Sequence, residues 1–276
     1  MESMKDMLKG KEGIEEAINK FANLTPEEYA EIQVGWYNES QGNLNEKDEI
    51  DCPICRNKGF IQFVKNKDIW SKSCECMKRR EQIARAKRSG LGEYLTTSSK
   101  DYIAEEPWQK EIKGKLIEFC KEHDEDNVWF MIIGQVGSGK TLIGSVIANH
   151  LLKNKNREVQ YTIWTDFISK LKMDMMGDNT NQVSEYLEQI KKVDVLFLDE
   201  VLKKYNETDL KYLIEIINYR YTNSLKTIIT SEKLLDELLN IDEATFSRVI
   251  EKSEQFCIEI PRDRSKNYRL KNILKK

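Results

Sequence analysis

The residues best suited to chemistry form one unbroken run, Gly134-Gln135-Val136-Gly137-Ser138-Gly139-Lys140-Thr141-Leu142. Glycines at this spacing let backbone N–H groups curl round phosphates without side-chain clashes. A helix opening directly after the loop adds the positive end of its dipole. Lys140 is then placed to reach the β- and γ-phosphates of a nucleoside triphosphate, and Thr141 to ligate Mg²⁺. This arrangement needs a buried strand before the loop and a helix after it. The sequence supplies both: Val128 to Ile133 is a continuous apolar run, and Leu142 to Leu152 reads as helix.

A second apolar run, Val193 to Leu198, ends in Asp199-Glu200. Asp199 is the natural acid on the Mg²⁺ side, and Glu200 stands where a general base polarises an attacking water. Tandem acids after a buried strand favour hydrolysis over simple nucleotide binding. Beyond a further strand, Lys226 to Thr230, lie Thr230, Ser231 and Glu232. A polar group there either senses the γ-phosphate or, in the case of Ser231, caps the following helix. Arg248 in ATFSRVIEK either reaches a neighbouring subunit's γ-phosphate as an arginine finger or pairs on the surface with Glu251. Arg220 in INYRY is a second finger candidate.

Four of the six cysteines form C-x2-C and C-x-C pairs, Cys52/Cys55 and Cys74/Cys76. Paired thiolates on two tight turns suit a tetrahedral structural zinc site. A redox pair or a disulfide framework would use the same residues, although the composition speaks against disulfides. Phe60 to Val64 and Ile69 to Ser73 read as a ribbon that joins the two pairs. Cys120 and Cys257 lie in apolar runs and read as core thiols, and His123 and His150 as surface or helix-end residues.

The elements that must position these groups follow from periodicity. Strands at 128–133, 159–164, 193–198, 226–230 and 256–260 alternate with helices, which predicts an α/β fold with a parallel sheet. Upstream, Ile14, Ala17, Ile18 and Phe21 form a helical stripe. Thr25-Pro26-Glu27-Glu28 then opens a second helix, through about Val34, with a capping box. The chain of 276 residues carries 44 basic and 47 acidic side chains, a net of −3. That near-zero sum is a cancellation: residues 1–50 carry −7, residues 51–90 carry +7, and residues 261–276 hold seven basic groups and one acid. The basic parts either approach phosphate or are solvated faces. The acidic head docks on a partner or on the chain's own cysteine module. There is no run of about 20 apolar residues to span a membrane, and residues 1–20 lack the apolar core of a secretory signal. A cytoplasmic location is the expectation.

Together the phosphate loop, DVLFLDEV, LIEIINYRYTN, KTIITSE, FSRVIE and SKNYRLK resemble the DnaC/DnaI-type replicative helicase loaders, AAA+ ATPases related to the initiator DnaA and the transposition helper IstB. CPICRNKGFI…CEC resembles the amino-terminal zinc module of the DnaI-like and phage-encoded loaders. The resemblance implies a five-stranded AAA+ core at 108–276, a basic linker at 78–107, and a helical zinc-binding domain at 1–77 that contacts the helicase. It implies ATP/ADP and Mg²⁺ at the loop, with Thr141 and Asp199 on the metal, and Zn²⁺ on the four cysteines. It further implies the Thr230/Ser231 region as sensor 1, Arg269 as a sensor-2-like residue, Arg248 as the finger, and self-association through the ATP site. The implied activity is ATP-dependent delivery of a hexameric, DnaB-like helicase onto single-stranded DNA. Glu232 departs from the family's Ser-Asn at this point, since a carboxylate there repels a γ-phosphate. An IstB-like transposition helper and an ATP-switched adaptor with little hydrolysis are the alternative readings.

Overall fold

The computed structural model describes residues 24–48, 50–123, 126–176 and 180–270. The stripe from Ile14 to Phe21 lies outside them. The chain divides into two units, Met1–Ile83 and Ala84–Lys276.

The first unit opens with α1 (Pro26–Glu39), started by the expected capping box. The Glu28 N–H donates to Thr25 Oγ1, and the Thr25 N–H donates to the Glu28 carboxylate at 2.8 Å. The helix runs past Val34 to Glu39, because Gly35 costs a helix only about 1 kcal/mol relative to alanine and the last turn closes with Ser40 N donating to Trp36 O. After α2 (Asn45–Asp48), β1 (Phe60–Lys65) and β2 (Asp68–Ser73) pair antiparallel. The turn between them is the two-residue Asn66-Lys67, both with positive φ (54° and 67°). This left-handed pair matches the twist of a hairpin. The Asn38 side chain closes the outer edge of β1, donating to Gln62 O and accepting from Gln62 N. The division between the units falls inside α3 (Cys76–Arg88).

The second unit holds α4 (Pro107–Glu122), β3 (Phe130–Gly134), α5 (Lys140–Asn154), β4 (Val159–Ile163), α6 (Trp164–Met176), α7 (Thr180–Lys192), β5 (Val195–Asp199), α8 (Glu207–Thr222), β6 (Lys226–Ser231), α9 (Leu235–Ile241), α10 (Glu243–Ser253) and β7 (Cys257–Ile260). The five strands form a parallel sheet in the order β4-β5-β6-β3-β7. Every residue of β3, β5 and β6 is buried, as a sheet covered by helices on both faces requires. One apolar layer contains Phe119, Ile132, Ile147 and Phe197; the other contains Trp129, Ile133, Leu198 and Ile216. Cys120 and Cys257 are half-buried at the margins of these two layers, not deep inside them.

Residues 84–107, within the stretch read as a linker, are built into this unit. Leu91 and Tyr102 are each 1 % exposed in its core. The Ser89 carbonyl accepts from Tyr161 N, which covers the open edge of β4.

Two buried cations pin the far side of the sheet. Arg220 is fully buried and donates to the carbonyls of Ile190, Lys191, Val193, Asp194 and Lys226 and to Thr227 Oγ1. Lys226 is fully buried too; it donates to Val128 O and pairs with Asp126 at 3.2 Å. Arg220 is therefore not a finger for a neighbouring subunit: its donors are spent inside the fold, holding the end of α7 against β6.

Candidate nucleotide site and four-cysteine cluster

The loop between β3 and α5 has the backbone that phosphate binding needs. Gly134, Gly137 and Gly139 all take positive φ (98°, 71° and 92°). Gly134 is also sterically obligatory against backbone, and Gly137 is crowded by a side chain. A Cβ at Gly134 would lie 2.0 Å from the Ile260 carbonyl, and one at Gly137 would lie 2.1 Å from Asn267 Oδ1. The Gln135 N–H donates to Ile260 O, its side chain accepts from Asp263 N, and Ser138 Oγ donates to Gln135 O. The loop is thus held by the segment after β7.

Lys140 folds back into the loop, donating to the carbonyls of Gly134 (2.9 Å) and Gln135 (2.6 Å). Burial brings its pKa down to about 8, against the opposing pull of Glu232, Asp199 and Glu200. Bound phosphate would replace those carbonyls as its partner.

Asp199, at the end of β5, is 3 % exposed and is the node of the site. It accepts from Thr141 (3.1 Å), from Tyr161 of β4 (2.9 Å) and from Thr230 of β6. Burial pushes its carboxyl up, while the three donated bonds pull the other way. Thr141 and Asp199 thus meet as expected of groups that share a metal ion.

Thr230 Oγ1 also accepts from the Glu200 N–H at 3.0 Å, and Thr230 O accepts from Val201 N. Glu200 takes positive φ (57°), so its side chain turns away from the strand and lines the cavity. Lys203 bridges Glu200 (3.1 Å) and Glu232 (3.2 Å). This single cation offsets part of the combined charge of the two carboxylates, which otherwise counts against Glu232 beside a phosphate.

Ser231 lines the cavity but is not a helix cap. Its hydroxyl donates to Val201 O and accepts from Lys233 N, and α9 starts only at Leu235. Arg269 lines the same cavity, on a segment fixed by Tyr268 N donating to Gly137 O and Tyr268 OH to Ile103 O. Arg248 lies on α10 and does not line this cavity. It donates to Asn218 at 2.8 Å and sits over the Tyr221 ring, while Glu251 accepts from Tyr221, so the expected Arg248–Glu251 pair is replaced by other partners.

The cavity has a volume of about 400 Å³. Besides Val136, Leu142 and the loop groups, it is walled by Tyr94, Tyr102 and Ile103, which the sequence reading placed in a linker. An apolar wall facing a phosphate cradle is what a nucleobase and ribose require. The available signal was YLTTSSKDYI, whose Tyr and Ile are too apolar for a solvated linker.

In the first unit the four cysteine sulfurs lie within 4.8 Å of one another. Cys52 and Cys74 Sγ are 3.8 Å apart, and Cys55 and Cys76 Sγ are 3.6 Å apart. A tetrahedron with Zn–S bonds of about 2.3 Å has edges of about 3.8 Å, whereas a disulfide closes to about 2.05 Å. All six cysteines are free. Asn57 supports the knuckle: its Oδ1 accepts from Cys52 N and from buried Arg80. Burial pushes the Cys76 thiol up to about 12; at Cys55 the same effect is outweighed by the Gly59 N–H and the neighbouring thiols, leaving it at about 7. The cluster is compatible with a zinc module.

The sheet, the loop and the acid-bearing strand have the form of a P-loop nucleotide-binding fold. Residues 117–252 match the family model of the bacterial DnaA ATPase domain. Bacillus subtilis (strain 168) YqaM is 25 % identical over 92 % of this chain and 98 % of its own length, and the phage-like element PBSX protein XkdC of the same strain is 25 % identical over 76 % and 82 %. The replicative helicase loader DnaC of Buchnera aphidicola subsp. Baizongia pistaciae (strain Bp) is 26 % identical over 51 % of this chain and 57 % of its own. Among solved structures, a DNA replication initiation factor aligns at TM-score 0.50 with 20 % identity over 65 % of this chain and 54 % of its own, and thereby shows the fold. The DnaC helicase loader aligns at 0.49 with 21 % identity over 62 % and 99 %. The resemblance to DnaC/DnaI-type loaders is supported. No described helix is long and apolar enough to cross a membrane.

Proposed function

We propose that this protein is an ATP-dependent helicase loader. The observation that carries the reading is the convergence of Thr141, Thr230 and Tyr161 on Asp199, beneath a loop whose lysine awaits a phosphate. ATP would lie with its base against Tyr94 and Tyr102 and its phosphates in the loop. Mg²⁺, held through Thr141 and Asp199, would neutralise charge on the phosphates. The protein's own groups do the rest: Lys140 draws the terminal phosphates in, Glu200 orients and deprotonates the attacking water, and Thr230 holds Glu200 and Asp199 in register. Arg248 would complete a neighbour's site, and Arg269 would contact the nucleotide of its own. Zn²⁺ on Cys52, Cys55, Cys74 and Cys76 would stabilise the first unit, which would dock on a ring helicase. Hydrolysis would release the loader after helicase transfer to single-stranded DNA.

The test is a pull-down of the host's replicative helicase with and without ATP. ATP-dependent capture, lost in Lys140→Ala, supports the reading; no capture in either state overturns it. A second reading, the ATP-switched adaptor, is favoured by one observation: Lys203 occupies the Glu200 carboxylate that hydrolysis needs. Negligible turnover even with helicase and DNA present would select it.

A further inference from the structure

The cysteine ribbon carries a face that the ATPase reading does not use. Side chains alternate along paired strands, so Ile61, Phe63 and Lys65 of β1 share a face with Lys72, Trp70 and Asp68 of β2. Ile61 packs toward the cysteine cluster at the base. Phe63 and Trp70, directly opposite each other, are 37 % and 50 % exposed. Two large rings side by side on a hairpin are costly to leave in water. Lys65 sits over the Trp70 ring at 5.7 Å, with Lys72 on the other side of the pair and Lys67 in the turn. Asp68 is the one acid of the ribbon.

Lysine is depleted in protein–protein interfaces. Exposed aromatics interleaved with lysines are instead the pattern of single-strand nucleic-acid platforms, where bases stack on rings and ammonium groups follow the phosphates. Charge and ring placement therefore select one occupant. We propose that the Phe63–Trp70 face of the ribbon binds single-stranded DNA, stacking two bases on the rings and pairing phosphates with Lys65 and Lys72. This contact needs neither ATP nor a helicase, so it stands apart from the loader reading.

The test uses the full chain, without nucleotide, and a fluorescein-labelled oligodeoxythymidylate followed by anisotropy. Phe63→Ala/Trp70→Ala should weaken binding at least tenfold, since one stacked base alone is worth about tenfold to a hundredfold. Lys65→Gln/Lys72→Gln should flatten the slope of log K against log salt by about 1.4, at about 0.7 per single-strand phosphate contact. Unchanged binding by the ring variant overturns the proposal. So does a ring variant that keeps its DNA affinity and loses helicase capture, which would make the face a protein dock. Loss of DNA affinity with helicase capture intact supports it, whatever becomes of the loader reading. Photocrosslinking of the unmodified protein to 5-iododeoxyuridine DNA guards against a misfolded variant: adducts on the peptide bearing Phe63 and Trp70 support the platform, and adducts confined to other peptides refute it.

Discussion

Replacing Arg220 by methionine should cost this protein about 4 kcal/mol of stability and leave the chemistry of each folded molecule intact. The guanidinium is fully buried and serves six acceptors, five of them backbone carbonyls. Two belong to the last turn of α7, where carbonyls lack helical partners and need a donor from elsewhere. A buried polar group left without a partner costs about 1–3 kcal/mol. If water reaches two of the five carbonyls, three remain, for a loss of about 3–9 kcal/mol after methionine has refilled the volume. Relief from burying a charge offsets part of this, which gives the figure of about 4. Urea unfolding at 25 °C followed by far-UV circular dichroism measures it, with Arg220→Lys as an intermediate case because ammonium cannot match the planar fork. A loss below about 1 kcal/mol refutes the clamp. So does a variant of normal stability whose self-assembled ATPase is abolished, because that is the signature of a finger.

Three further outcomes follow from the sites. Lys140, held at about 8 by burial, is charged below that pH and must take up a proton to meet phosphate above it; nucleotide affinity should hold up to about pH 8 and then fall by up to tenfold per pH unit, and a flat fluorescent-ADP titration between pH 7 and 9.5 would refute this. Lys203→Met should raise saturated turnover up to about fivefold, because a half-exposed ion pair is worth about 1 kcal/mol at most and Glu200 no longer has to break one; it should also weaken ATP binding, since Glu200 and Glu232 then face the phosphates without their cation, and an unchanged or lower turnover sinks the argument. Cys52→Ser should fall from about one zinc per chain to well below one by elemental analysis, with ADP affinity preserved, and full metal content would dismiss the four-sulfur site.

How much was readable in the sequence depended on whether a feature is local. The loop, the acid pair and the cysteine pairs each lie within a few residues, so spacing alone expresses the chemistry. Strand existence was legible because β3, β5 and β6 are buried on both faces and read as apolar runs. Strand order was not, because pairing of β3 with β6 and β7 joins segments about a hundred residues apart. Tyr161 as a partner of Asp199 was hidden for the same reason: β4 meets β5 only in the sheet. Arg220 misled because long cations are almost always exposed unless paired, and its partners here are mainly backbone carbonyls, which no side-chain pattern records.

The placement of Thr230 gives the site a means of coupling that neither acid has alone. Its hydroxyl hydrogen goes to Asp199 and its oxygen receives the Glu200 N–H, so a single side chain on β6 sets both the last residue of β5 and the acid that follows it. Asp199 in turn holds Thr141 at the start of α5, closing a path from β6 through β5 to the phosphate loop. Displacement of Thr141 or Asp199 by nucleotide and metal would therefore reach Glu200, which shares Lys203 with Glu232. Thr230→Val keeps the shape and removes both bonds. The Glu200 N–H then loses its acceptor and Asp199 loses a donor, at about 1–2 kcal/mol each. Turnover should fall more than nucleotide affinity, because the loop and Lys140 are untouched. Equal losses in both would mean that Thr230 only supports the fold.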